Sequence, residues 1–398
     1  MRIAILTGEY PPLEGGIGDF TRALALELRR QGHELHILTG QNGAPAIADE
    51  DGVHVHRCIP SWGIACHNQI VRQVAAIRPD VLNIQYQPAI YEMKGAIHLL
   101  PRWQKRNIQV PIVTTFHDLR VPYLFPKAGQ LREWSVQQLA ANSQGVILTN
   151  DEDYAQLTRM LGSGSPAPQV RLIPIGSNIA PAPPPGYEPA AWRAGQKFNP
   201  EDFLIGYFGF LNRSKGVETL LEAAAALVQE GIPVQLLFIG GRTGSSDPTN
   251  RAYAAEIDAR IEALGLSARV RRTGFATPPE VSAALLACDV CALPYRDGVS
   301  LRRGTLHAAL AHGKAIVTTT PQVPSRQLRN GENMLMVPPD AVTEFTEALR
   351  RLWHEPDLRA RLGQQAALLA AGFSWNRIAA HTAEFFRQLC RQAEPPAS

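Results

Sequence analysis

The 398-residue chain is 45% hydrophobic and 19% charged, which supplies apolar material for two cores and exceeds what one ordinary domain holds. Its formal net charge of +3 is small for this length and speaks against a nucleic-acid binder held by bulk electrostatics. No apolar run reaches the ~18 residues of a membrane helix, and the chain opens on a strand without the charged lead-in and cleavage site of a secretory signal. Five scattered cysteines fit reduced thiols, so a cytoplasmic protein is expected.

From the N-terminus, RIAILT, ELHILT, VLNIQY, IVTTF, VILTN and RLIPI alternate with helical patterns such as ALALELRR. Strands that are apolar throughout and separated by helices are buried on both faces, which predicts a parallel, doubly wound α/β sheet. APAPPPGYEPA, residues 180–190, carries five prolines and can continue neither helix nor strand. The alternation then restarts with FLIGYFG, VQLLFIGG, VCALP, AIVTTT and MLMVPP. Two Rossmann-like domains are therefore expected, over 1–185 and 186–373, with a cleft between them. Cys288 and Cys291 form a C-x-x-C pair with no second pair nearby, and read as buried small hydrophobes rather than metal ligands.

In sheets of this class ligands meet the loops that follow strands, and four such loops carry polar chemistry. GEYPPLEGGIGDF brings Gly15 and Gly16 to a helix start, where backbone N–H groups can approach a phosphate; an unliganded tight turn would look the same. TTFHDL places His117 and Asp118 after a strand, able to hold a substrate hydroxyl or to cap the next segment. FGFLNRSKG sets Arg213 and Lys215 before a helix, as diphosphate cations or as solvated loop charges. RDGVSLRRGTLHAALAHG, residues 296–313, places Arg302 and Arg303 directly before a helix opened by Gly304 and Thr305, a further anion site.

In this order the loops resemble the family 4 glycosyltransferases, which have the GT-B fold. The resemblance runs from YPPLEGGIGDFTRALALELRRQGHELHILT through FHD, LIPIGSNI, FGFLNRSKGVETLLEA and ALAHGKAIVTT to FSWNRIAAHTAEFF. It implies a retaining transferase moving a sugar from a nucleotide diphosphate donor, held by the second domain, to an acceptor held by the first. No metal or cofactor is implied, the nucleotide sugar being a substrate. It also implies that a helix of about 374–398 packs back on the first domain. Residue by residue, Gly16 matches the glycine that meets the donor phosphates, His117 the histidine that faces the transferred sugar, and Lys215 the diphosphate lysine.

The chain departs from the family where the chemistry is densest. The arginine of the G-R-x-x-x-x-K-G pattern falls on Phe210, and the two glutamates of E-x7-E fall on Ser300 and Ala308. Either the site has lost function, or it is rebuilt with Arg302, Arg303 and Arg213 as cations and Ser300 offering the sugar a neutral hydroxyl. Because His117, Lys215 and the glycine loops are intact, a rebuilt enzyme is expected, with the donor's grip shifted from ribose to diphosphate. A noncatalytic GT-B partner in glycan assembly and a GT-B nucleotide-sugar epimerase are the rivals. Tyr10, Gln85, Tyr86 and Gln87 are expected to line the acceptor pocket, for a glycan or a lipid. Trp103 with Arg102, Lys105 and Arg106 would be the part to touch the inner membrane face, although a solvated helix end fits the same residues.

Overall fold

The computed structural model describes residues 1–13, 15–119, 129–161, 168–241 and 248–393, the side chains of 129–132 and 248–250 excepted. The chain divides into two compact units, one formed by Met1–Gly176 with Ser374–Ser398 and the other by Ser177–Phe373.

In the first unit the strands are β1 (Arg2–Leu6), β2 (Glu34–Gly40), β3 (Ile47–Glu50), β4 (Val53–Ile59), β5 (Val81–Tyr86), β6 (Ile112–Phe116), β7 (Gly145–Leu148) and β8 (Gln169–Leu172). They form one sheet in the order β3-β4-β2-β1-β5-β6-β7-β8, parallel except where β3 runs against β4. β5, β6 and β7 are buried along their whole length and β1 from Ile3 to Leu6, as crossover helices on both faces require. The first helix, Gly16–Arg30, lays Phe20, Leu24 and Leu28 on one side of the sheet, a four-residue spacing that forms a single stripe. The closing helix, Trp375–Ala393, packs in the same core through Ile378, Phe385, Phe386 and Leu389. Its Gln388 amide donates to Gln169 Oε1 at 2.9 Å, and Leu389 and Phe385 fill the space a side chain would need at Gly145.

The second unit holds β9 (Phe203–Phe208), β10 (Val234–Ile239), β11 (Val270–Arg272), β12 (Val290–Leu293), β13 (Ala315–Thr319) and β14 (Leu335–Val337). Their order is β11-β10-β9-β12-β13-β14, all parallel. The division between the units falls ahead of the proline-rich stretch, at Gly176, and not at 185. The prolines travel with the second unit because Ile179 packs on its core and the Tyr187 hydroxyl donates to the Ala283 carbonyl at 2.8 Å. Cys288 and Cys291 are both buried there as free thiols, and Cys288 Sγ lies where a Cβ on Gly206 would sit.

Each sheet reverses its winding beside its first strand, between β1 and β5 in one unit and between β9 and β12 in the other. Loops that leave adjacent strands at such a point diverge and open a crevice at the strand ends. The glycine loop follows β1, the loop with Lys215 follows β9, and the arginine loop follows β12.

Candidate functional site

In the second unit the two loops at the reversal point build one cationic cluster. Gly216, at φ +61 and directly below the Pro294 carbonyl, lets the β9 loop press against the end of β12, where a Cβ would clash with that oxygen at 2.1 Å. Arg296 N donates to the Ser214 carbonyl at 3.0 Å and ties the loops together. The Tyr295 ring, fully buried, lies under both: Lys215 Nζ is 5.0 Å from its centroid and Arg303 Cζ 4.6 Å. Its hydroxyl shares a 2.6 Å hydrogen bond with Thr305 Oγ1, and so fixes the start of the helix Gly304–Ala311. No side chain caps that helix, which leaves its first N–H groups for an anion.

Asp297 holds both arginines, bonding Arg303 through one oxygen and Arg302 through the other at 3.3 Å. The arginine side chains are only 9% and 13% exposed. Arg303 Nε is buried with no hydrogen-bond acceptor among the described residues, a position that a phosphate oxygen would satisfy. Burial and the Arg303 guanidinium push the Lys215 ammonium down to about 7, with Asp297 working the other way. The loop is pinned from behind by His307, whose Nε2 donates to the Leu301 carbonyl at 2.7 Å. One carboxylate thus faces three basic groups, leaving excess positive charge in a largely dehydrated place.

Not every expected residue joins this cluster. Arg213 turns away and lies against Glu256 at 2.6 Å, its side chain 63% exposed; the carboxylate that claims it lies on the helix Pro248–Ala263, far along the chain. Ser300 is buried and closes the turn through its carbonyl, which accepts from Arg303 N at 3.1 Å. Asp297 is taken by the arginines, and Glu332 is an exposed partner of Arg329, so neither is left to hold the ribose. Ala308 is buried, and Phe210 is half exposed, so neither replaces the charge that the family pattern puts there.

In the first unit the glycine loop already contains an anion. The Glu9 carboxylate accepts from Ile17 N at 3.0 Å and Gly18 N at 2.8 Å, sitting on the N-terminus of the first helix. A Cβ on Gly15 would meet that carboxylate at about 2.1 Å, whereas Gly16 has nothing within 4 Å. Gly15 therefore makes room for Glu9, and Gly16 stays open to a ligand. Burial raises the Glu9 carboxyl above its usual range, against the pull of the two N–H bonds. Glu9→Ala is expected to lose about 1–2 kcal/mol of stability, as lost helix caps do, while Glu9→Gln, which keeps the acceptor, stays within about 1 kcal/mol of wild type. Thermal unfolding of the pair decides it, and equal losses would show that the charge and not the two bonds holds the loop.

His117 follows β6 and is joined to β5 by its backbone N–H, which donates to the Tyr86 carbonyl at 3.0 Å. Its ring meets Phe20 edge-on at 4.7 Å, and burial lowers the imidazole to about 4, so it is neutral near pH 7. Asp118, half-buried, comes next along the chain. The acceptor-facing residues expected from β5 are spent inside the unit. Gln85, Tyr86 and Tyr10 are buried, with the Tyr86 hydroxyl on His98 Nε2, and Gln87 Oε1 accepts from Ala89 N and Ile90 N as the cap of a short turn. No cluster of His, Cys, Asp or Glu suited to a metal ion is found among the described residues.

Two family profiles match the chain, "Glycosyl transferases group 1" over residues 190–368 and "Glycosyl transferase 4-like domain" over residues 15–176. D-inositol 3-phosphate glycosyltransferase of Corynebacterium urealyticum is 26% identical over 98% of this chain and 96% of its own length. Among solved structures, sucrose-phosphate synthase from Thermosynechococcus elongatus superposes with a TM-score of 0.79 at 21% identity, over 98% of this chain and all of that one. HepE of Anabaena, solved in complex with UDP-glucose, gives 0.75 at 18% identity and the same coverage. The two profiles, which together span most of the chain, define a glycosyltransferase, and the sheet topology with these structural neighbours gives it the GT-B fold. The chain belongs to family 4 of the glycosyltransferases.

Proposed function

We propose that the protein is a retaining glycosyltransferase that takes its sugar from a nucleotide diphosphate donor without a metal ion and passes it to a glycan, lipid or small-molecule acceptor. The reading rests chiefly on one observation: Lys215 and Arg303 gather on the Tyr295 ring, with Arg302 held near them by Asp297, beside the uncapped start of the helix Gly304–Ala311. A departing diphosphate needs its growing charge met by groups already in place, and dehydrated cations with free backbone N–H groups meet it directly. Loss of the ribose carboxylate at Ala308 leaves the diphosphate as the main handle.

No carboxylate of the cluster is spare to act as a nucleophile, since Asp297 is bonded to two arginines. Attack from the face of the departing group, with the leaving phosphate accepting the acceptor's proton, then accounts for retention. His117, neutral and half-buried, would position the sugar rather than remove a proton. If the acceptor is a lipid, the half-exposed Trp103 at the end of the helix Ala96–Trp103, followed by Lys105 and Arg106, would suit the edge of an anionic membrane, although a solvated helix end fits the same residues.

A thermal-shift panel of UDP-, GDP-, ADP- and dTDP-sugars with EDTA present tests the proposal. UDP-glucose comes first because HepE binds it. One nucleotide class is expected to raise the melting temperature, about 2.7 kcal/mol of stabilisation at a hundred times Kd. A flat panel would overturn the enzyme reading and favour a noncatalytic partner.

A further inference from the structure

Asn83, Gln85, Thr115 and His117 lie on one face of neighbouring strands. Asn83 and Gln85 are two apart on β5, Thr115 and His117 are two apart at the end of β6, and the register pairs Gln85 with Thr115. They form a chain of hydrogen bonds whose polarity can be read from a fixed point. The Val113 carbonyl can only accept, so the group 3.0 Å from it is the Asn83 amide nitrogen, which also reaches Thr115 Oγ1 at 2.9 Å. Asn83 Oδ1 is then the acceptor for the Gln85 amide nitrogen. Gln85 Oε1 is left to accept from His117 Nε2 at 2.7 Å. Reversing either amide would set oxygen against oxygen in a place without water. The Tyr91 hydroxyl, donating to the Gln85 carbonyl at 2.7 Å, locks the end of the strand.

We propose that Asn83 and Gln85 are positioning residues that hold His117 as the Nε2-protonated tautomer, presenting Nδ1 as a hydrogen-bond acceptor to a substrate hydroxyl. Nδ1 has no partner among the described residues. A neutral ring in this tautomer accepts an O–H and repels a carbonyl or phosphate oxygen, so the relay selects for a hydroxyl at that point of the substrate. Burial keeps the ring neutral across the physiological range, which leaves the tautomer as its one variable. The relay itself is independent of activity; its use on a substrate hydroxyl rests on the transferase reading above.

The test is the ring-nitrogen spectrum of the full-length protein labelled with 15N-histidine, His117 being assigned by its loss in His117→Gln. Protonated Nε2 and unprotonated Nδ1 are expected in wild type, and a mixture of tautomers in Gln85→Met, which keeps the side-chain length and removes both amide groups. A protonated Nδ1 at His117 in wild type overturns the proposal. So does an unaltered tautomer in folded Gln85→Met and Asn83→Leu. On the donor selected by the thermal-shift panel, Gln85→Met is expected to lower kcat about tenfold with KM changed less than twofold; an altered tautomer with unchanged kcat overturns the hydroxyl role. A flat panel with the Nε2-protonated form present would defeat the transferase reading and leave the relay standing.

Discussion

Lys215→Met is expected to weaken nucleoside diphosphate binding about 10- to 100-fold while making the free protein more stable. The ammonium sits against the Tyr295 ring with Arg303 and Arg302 beside it, and burial with those guanidinium groups holds it down to about 7. In the empty protein burial and two like charges disfavour the charged form of this group, so replacing it with an apolar one of similar length is expected to stabilise the fold. For a unit of this size each kcal/mol gained raises the melting temperature by about 2–4 °C. With a diphosphate present the same charge makes charge-assisted hydrogen bonds of about 1.5–3 kcal/mol, and its removal accounts for the lost affinity.

The pH dependence follows in sign. The folded lysine, near 7, releases its proton earlier than the unfolded lysine at its ordinary 10.5. The unfolded chain therefore binds more protons between those values, and the contribution of this group to stability rises with pH across that window. A bound diphosphate favours the charged form, so above pH 7 binding takes up a proton at this group and its contribution to affinity falls toward tenfold per pH unit; below pH 7 this group adds no slope. Calorimetric titration and thermal unfolding at several values between about pH 6 and 9 read both slopes. Lys215→Met should abolish them, and a variant that keeps the wild-type slopes would remove Lys215 from the site.

The double variant Arg302→Ala, Arg303→Ala is expected to lose nucleoside diphosphate affinity by about 10²- to 10³-fold, from two charge-assisted contacts of about 1.5–3 kcal/mol that do not add fully because they share a partner. That partner is Asp297, whose side chain is 19% exposed and which would be left with no arginine to hold it. A partly buried carboxylate without its cations is destabilising, so the double variant should also melt earlier. Adding Asp297→Ala is expected to restore the melting temperature but not the affinity. If it restores both, the arginines act only by shaping the loop.

The parallel sheets were legible because strands buried on both faces have to be largely apolar, as RIAIL and VLNIQY are. The loops that carry chemistry were legible because they follow such strands. Contacts set by distant chain were not. Arg213 looks like a phosphate cation beside Lys215 until the fold brings Glu256 against it. Glu9 stands in YPP-flanked sequence with nothing local to say that it folds onto the helix start at Ile17 and Gly18. Tyr295 became the platform of the cation cluster only once β9 and β12 were neighbours. Gln85 and Tyr86 looked like pocket residues because polar groups on a buried strand are rare, and here they satisfy one another inside. The boundary was misplaced by nine residues (185 against 176) because a proline-rich stretch reads as a linker whether or not it packs.

Whether the second unit holds its ligand by the diphosphate through Lys215, Arg302 and Arg303, as proposed, is tested most directly by calorimetric titration with UDP, inorganic pyrophosphate and uridine. Pyrophosphate is expected to bind the wild-type protein measurably and to compete with UDP, uridine alone to bind far more weakly, and the double arginine variant to lose both phosphate ligands together. Uridine binding as tightly as UDP, or UDP binding undiminished in the double variant, would contradict the claim.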